Sequence, residues 1–391
     1  MSKWEKVRLG ELCNTNIDTL SSKEDCLIDY IDISSIDNEK KEITSYKVYE
    51  AREAPSRAKL LIKKNDVLVS TVRPNLNAVA MITCETTNKM VASTGFCILR
   101  SNGSLDNKYL FYFTRSKSFI TKLMRAAKGA SYPAVSNTDV LNISIPFPPL
   151  DIQEKIANEL ETVSRLLSLQ KRKIEELDRL IKSVFYNMFG DLVTNEKGWD
   201  KKYITEICII NPRKTELGQL DDDTLVSFIP MSSVSENGEI DTSQTKKYKE
   251  VKVGFSYFRD NDVLFAKITP CMENGKGAVA RNLCNSIGFG STEFHVLRPI
   301  ENLTDSEWLF RLTTLPIFRI NAEKNMTGSA GQKRVPVSFF DKFSVGLPPI
   351  ELQKKYASIV SKIEAQKSLV KKTIAETQRL FDSLMSKYFD D

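Results

Sequence analysis

The sequence predicts an α+β fold that is built twice: two pseudo-symmetric mixed α/β globular domains, separated by two long helices that pair as an antiparallel coiled coil. Three observations predict it. The stretch PPLDIQEKIANELETVSRLLSLQKRKIEELDRLIKSVFYNMFGD, from Pro148, returns from Pro348 as PPIELQKKYASIVSKIEAQKSLVKKTIAETQRLFDSLMSKYFDD, at an offset of 200 residues with no gap. Both copies carry a helical seam. The segments that precede them also match, element by element.

In the first copy the seam runs Leu160, Val163, Leu167, Gln170, Ile174, Leu177, Ile181, Val184 and Met188, alternating steps of three and four. The second gives Val360, Ile363, Lys367, Val370, Ile374, Thr377, Phe381, Leu384 and Tyr388. That spacing is a coiled-coil pattern, and two matched rods in one chain have each other to pack on. Pro148-Pro149 and Pro348-Pro349 suit a helix start, where a missing amide hydrogen costs nothing, and Asp151 and Glu351 suit the positive end of the dipole. About 40 residues rising about 1.5 Å each make a rod of roughly 60 Å.

The globular segments open with WEKVRLGELCNTN and with WDKKYITEICIIN from Trp199, pairing Trp4 with Trp199 and Cys13 with Cys208. Each continues with a β-like run, YIDISSID or FIPMSSVS, then a turn and strand, KKNDVLVSTVRPNLNAVA or FRDNDVLFAKITPCMENGKGAVA. VASTGFCILR and FGSTEFHVLR follow, whose alternation predicts half-buried strands. Next comes one helical pattern per half, KYLFYFTRSKSFITKLMRAA and EWLFRLTTLPIFRINAE, the second broken or kinked at Pro316. A polar, Gly-containing loop and a short apolar strand lead into each rod. The expected boundaries are 1–149 and 199–349 for the domains, 150–191 and 350–391 for the helices, and 192–198 for a linker. Antiparallel rods bring Asp391 back towards Met1 and make a pseudo-twofold, nearly circular molecule.

The chain of 391 residues is 41% hydrophobic, enough to bury sizeable cores. No apolar run approaches the roughly 20 residues of a membrane span, and the N-terminus has no apolar targeting core, so a cytoplasmic location is expected. Seven scattered cysteines with no CxxC pair argue against a disulfide framework or zinc site. The net charge of +6 sits mostly in the first domain, with 21 basic against 16 acidic residues in 1–149, while 199–349 holds 19 of each. This is compatible with nucleic acid and equally with an ordinary solvated surface.

Signatures of catalysis are absent: there is no phosphate-binding glycine loop, no GxGxxG and no GxSxG. The only histidine, His295, lies in a strand pattern where Cys97 takes its place in the other half, and reads as a packing residue. FPPL and LPPI lack the flanking polar and aromatic residues of an amino-methyltransferase site, and Asp221 to Asp223 read as an exposed loop. The loops carry better chemistry. TVRPNLN (71–77) and ITPCMENGK (268–276) occupy matching strand ends. There Arg73, Asn75 and Asn77, and in the second half Lys267, Asn274 and Lys276, can hydrogen-bond base edges. The later loops add Lys128, Ser131 and Tyr132, then Thr327, Ser329, Gln332, Lys333 and Arg334, a mixture of phosphate and base-edge donors. Each is also compatible with an ordinary turn.

Taken together, WEKVRLGEL, NDVLVSTVRPNLNAVA with ASTGFCILR, NDVLFAKITPCMENGKGAVA with GFGSTEFHVLRP, TGSAGQKRVP, the hinges PFPPLDIQEKIA and GLPPIELQKKYA, and the helix ends FYNMFGD and MSKYFDD give a resemblance over essentially the whole chain. The sequence resembles the specificity (S) subunit of type I restriction-modification systems. The resemblance implies two target-recognition domains that each read one half of a bipartite double-stranded DNA target, with the paired helices fixing the unread spacer. It implies no catalytic site, metal or cofactor in this chain. Its implied partners are two modification subunits, which methylate adenine with S-adenosylmethionine, and restriction subunits that use ATP and magnesium; no membrane is involved. A coiled-coil scaffold that reads no DNA and a stand-alone DNA methyltransferase or nuclease are the competing readings.

Overall fold

A computed structural model describes residues 4–21, 24–129, 132–329 and 331–390. Packing groups the chain into two units, Met1–Lys173 with Val370–Asp391, and Ile174–Leu369. Each unit thus owns part of both long helices, a grouping that a reading into successive domains and rods does not show. Met1 and Asp391, which the sequence expectation brings together, lie outside the described residues.

In the first unit an antiparallel sheet runs in the order Cys13–Asn14, Phe96–Ser101, Val67–Ser70, Val79–Met81. A second sheet runs Lys47–Glu50, Leu27–Ile31, Lys89–Ser93, Ala58–Leu61, with its two central strands parallel. The second unit repeats both, as Cys208–Ile210, Phe294–Pro299, Val263–Ala266, Gly277–Val279 and as Thr245–Lys247, Leu225–Ile229, Ile287–Gly290, Ser256–Arg259. The parallel pair recurs there between Leu225–Ile229 and Ile287–Gly290. A two-stranded ribbon, Lys6–Arg8 with Ser144–Pro146 or Asp200–Tyr203 with Ser344–Leu347, fastens the start of each segment to the strand that enters a long helix.

The alternation in VASTGFCILR and FGSTEFHVLR predicts half-buried strands, and the structure corrects this: Phe96 to Leu99 and Phe294 to Arg298 are buried without a break, and so is the strand paired with the first. All four residues of Val67–Ser70 are buried. Val67 and Val69 pack into a cluster with Tyr109 and Phe113, whereas Leu68 packs into another with Ile31 and Ile98. Helices cover one face and further strands the other, so polar spacing residues are not needed. The single helix expected over KYLFYFTRSKSFITKLMRAA is two, Asn107–Phe113 and Lys117–Ala126. Ser116 restarts it: its Oγ accepts from the Phe119 amide at 3.1 Å. Pro316 acts likewise, as the first residue of Pro316–Lys324 after Ser306–Thr314.

Two pairs of matched residues lock the repeats. Arg100 forks onto Asp66 at 2.8 and 2.7 Å, and Arg298 onto Asp262 at 2.7 Å twice. The carboxylates also hold the turns before their strands, accepting from the Lys63 and Arg259 amides. This bidentate pairing explains why NDV and LR recur together. Gln153 and Gln353, fully buried, do the same for the helix starts. Their Oε1 atoms accept from the Asp106 and Asp305 amides, both at 2.9 Å, and their Nε2 atoms donate to the Pro148 and Pro348 carbonyls, both at 2.8 Å.

The two helices span Leu150–Phe189 and Ile350–Phe389. In the first unit Tyr388 meets Glu159 and Thr377 meets Gln170; in the second Tyr356 meets Ile181 and Lys367 meets Asp178. The partners run in opposite order in both units, so the pairing is antiparallel. Phe389 closes the first core against Tyr109 and Phe113, and Phe189 the second against Trp308 and Tyr356. The seam is not uniformly apolar. Lys367, with its side chain 5% exposed, reaches Asp178 at 2.6 Å and Glu364 at 3.1 Å.

Candidate nucleic-acid interface

In each unit the loop after a central strand is zipped to the loop that follows the second short helix. Val72 bridges Ala134, and Ala134 bridges Lys128; in the second unit Ile268 bridges Arg334, and Arg334 bridges Thr327. The Arg73 amide donates to the Pro133 carbonyl at 2.7 Å, as the Thr269 amide does to the Lys333 carbonyl at 3.0 Å. Gly129 and Gly328, with φ of +98° and +121°, make the later loops possible. A Cβ at either would strike the carbonyl of Tyr132 or Gln332 at 2.9 or 2.8 Å. The candidate residues therefore stand on two joined loops per unit, held at their bases by a sheet.

In the first unit the structure brings Arg73, Lys128 and Tyr132 together. Arg73, exposed, holds φ at +49° and opens a turn that Asn77 closes at +47°. Asparagine tolerates this region and arginine does not favour it, so the turn holds Arg73 in a strained position. Its guanidinium lies 4.6 Å from the centroid of the Tyr132 ring, which is 67% exposed. Such a pair offers hydrogen bonds in one plane and an aromatic face beside it. Asn75 is exposed at the tip of the turn. Asn77 does not face outward: it is buried, its Nδ2 donates to the Thr114 carbonyl at 2.8 Å, and its own carbonyl accepts from Lys41 at 2.6 Å. Asparagine's capacity for left-handed backbone, rather than for adenine, accounts for it. Ser131 lies outside the described residues.

In the second unit Thr327, Ser329, Gln332 and Lys333 are exposed on the later loop, and Asn274 on the earlier one. Lys267, Lys276 and Arg334 are half-buried. Arg334 spends its guanidinium on Glu293, at 2.8, 2.9 and 3.2 Å, and on the Gln332 carbonyl. This hydrogen bonding holds the Glu293 carboxyl below the usual range and raises Arg334. Burial pushes the Lys267 ammonium down, with Glu293 opposing and Arg334 reinforcing it. Lys276 points its amine at the Met231 carbonyl, 3.5 Å away. These three shape the loop pair, leaving Asn274, Thr327, Ser329, Gln332 and Lys333 as its outward donors. Sequence reasoning missed Glu293, which only its position in the turn two residues before His295 could have suggested. It also missed Val72 and Leu76, apolar residues 37% and 49% exposed that flank Arg73 and Asn75.

His295 is 3% exposed, accepts at Nδ1 from Asn211 at 3.2 Å, and donates from Nε2 to the Val335 carbonyl at 2.8 Å. Burial pushes it down to about 4, so it stays neutral and ties the loop pair to the sheet. Among the described residues no group of three metal-ligating side chains occurs, and no helix is long and apolar enough to cross a membrane.

The model of the type I restriction modification DNA specificity domain matches twice, over residues 1–179 and 196–379. The chain is 41% identical over 161 residues to the type I restriction enzyme EcoAI specificity subunit of Escherichia coli. That match covers 40% of this chain and spans about a quarter, 26%, of the relative. A chain from a structure addressing complex assembly and conformational transition of the type I R-M system superposes with a TM-score of 0.61 at 25% identity, over 99% of this chain and 98% of that one. The type I restriction-modification S subunit from M. genitalium shares the fold, with a TM-score of 0.58 at 15% identity, over 100% and 97%. With its matched units, paired helices and duplicated loop sites, the chain belongs to the type I restriction-modification DNA specificity family.

Proposed function

We propose that this chain is a non-catalytic DNA specificity subunit that reads a bipartite duplex, one half-site per unit. The observation that carries this reading is the duplication of one loop scaffold with different side chains. The same backbone zipper presents Arg73, Asn75, Lys128 and Tyr132 in one unit and Asn274, Thr327, Gln332 and Lys333 in the other. Two equal frames with unequal readers suit two different sequences. Arginine and asparagine address base edges, lysine and hydroxyls address phosphates, and the exposed Tyr132 can pack on sugar or base.

The two helices, continuous over 40 residues each, set the spacing between the half-sites in this reading. The chain takes no cofactor of its own. Methyl transfer to adenine from S-adenosylmethionine, and cleavage driven by ATP with magnesium, belong to two modification subunits and to restriction subunits assembled on it in the cytoplasm. The family membership and the likeness to a type I R-M chain support this assignment.

The purified chain tests it directly. It is expected to bind a duplex carrying both half-sites with an affinity that falls steeply with salt, and to show no turnover with S-adenosylmethionine or magnesium. Turnover by the chain alone would favour an enzyme; salt-insensitive failure to bind any duplex would favour a scaffold.

A further inference from the structure

The first unit contains a cavity of about 480 Å³ that the DNA reading does not use. It lies between the hairpin of Ile36–Asp37 and Glu42–Ile43, the helix Asn107–Phe113 with the turn after it, and the first half of Leu150–Phe189. Its apolar lining includes Ile43, Met81 and Phe111. Its polar lining holds Lys41, Arg115 and the hydroxyl of Ser164, together with the carboxylates of Glu42 and Glu161. This volume lies within the range of about 300–1,000 Å³ typical of small-molecule sites.

The cations are what mark it. Arg115 is held by faces rather than by charge, its guanidinium 5.2, 5.1 and 5.2 Å from the rings of Phe111, Tyr112 and Phe381. Among the described residues it makes no ion pair, and burial pushes it below its usual value. Lys41 gives one hydrogen bond to the Asn77 carbonyl. Burial, and then the neighbouring Arg115, push its ammonium down to about 8, against the pull of Asp37. Two mutually repelling cations are costly to bury without a bound carboxylate, and Glu161 in the same lining is taken by Lys108 at 2.6 Å.

The second repeat supplies an internal comparison. There Arg311, in the place of Tyr112, is bound by Glu307 at 2.8 Å and by Glu364 at 3.4 Å. That unit pairs its buried cation from within, whereas Arg115, whose place Thr314 takes there, faces the cavity with no carboxylate among the described residues bound to it.

We propose that this cavity binds a nucleoside monophosphate, with the phosphate between Lys41 and Arg115 and the base against Ile43, Met81 and Phe111. A DNA backbone phosphate shares the anionic chemistry. The concave, small-ligand size of the cavity favours the free nucleotide.

Calorimetric titration of the full chain with AMP tests the proposal, with adenosine, inorganic phosphate and a duplex of random sequence as separate arms. One AMP per chain is expected to bind tighter than about 1 mM, adenosine and inorganic phosphate at least ~10-fold more weakly, and the duplex is expected not to displace AMP. Lys41→Met is expected to weaken AMP at least ~10-fold. Ser168→Trp, on the cavity rim, is expected to do the same by filling space, and keeps the test decisive if Lys41→Met fails to fold. Absence of AMP binding, unchanged binding in a folded variant, phosphate binding as tightly as AMP, or displacement of AMP by the duplex would each overturn the proposal.

Discussion

The Arg73 guanidinium stands 4.6 Å from the centre of the Tyr132 ring, so two loops of the first unit present a cation and an aromatic face as one group. Their effects on DNA binding are therefore expected to be coupled. Arg73→Ala should weaken binding to a duplex bearing the first half-site roughly 10-fold or more, and Tyr132→Ala less. The double variant should fall short of the product by about 0.5–1 kcal/mol. Fluorescence anisotropy on the four proteins checks this, and strictly multiplicative losses would show that the two side chains act apart.

Gln353 is matched by Gln153 to the atom, and both are fully buried. In Gln353→Leu the Asp305 amide and the Leu303 and Pro348 carbonyls lose their partner. Unpaired buried groups of this kind cost about 1–3 kcal/mol, so the second unit should melt about 2–12 °C lower. Calorimetry of the variant checks it. An unchanged melting temperature would mean that these groups find other partners.

Those two glutamines show how far the sequence could be read. Their identity at an offset of 200 residues was plain, as were the seam and the two-domain order, because periodicity and repetition are properties of the chain itself. Their task was not, since Asp106 and Asp305 lie more than forty residues away in sequence. The same holds for NDV and LR, whose Asp66–Arg100 contact only the sheet register creates. At the loops, residue type identified hydrogen-bonding capacity but not its use. Asn77 and Arg334 have the chemistry of readers and spend it on Thr114 and Glu293.

Lys367 occupies an apolar position of the seam and is paired with Asp178, whose side chain is 38% exposed. The two partners should respond unequally to substitution. Lys367→Met lets Asp178 turn to water and fills the seam, so stability should be unchanged or raised by about 1 kcal/mol. Asp178→Leu leaves the buried ammonium with Glu364 alone and should cost about 1–3 kcal/mol. Urea unfolding distinguishes them; equal losses would mean that the pair contributes through packing only.

His295, the single histidine, gives a clean pH readout. Burial lowers its value in the folded chain from 6.5 to about 4. Its contribution to stability, on the order of 3 kcal/mol, is complete above about pH 6.5 and is lost as pH falls towards 4, because the unfolded chain binds the proton first. The imidazole proton resonance should titrate near 4. A midpoint near 6.5 would show that the ring is solvated and that the loop pair is not tied to the sheet through it.

The central claim is that two loop frames read two separated sequences. Sequencing the modified bases of a host that carries the intact locus tests it most directly. The account predicts methylated adenine in a split motif of two defined half-sites with an unread spacer, and that Arg73→Ala alters only one half. Methylation in a continuous motif, or an Arg73→Ala change that spreads to both halves, would contradict it.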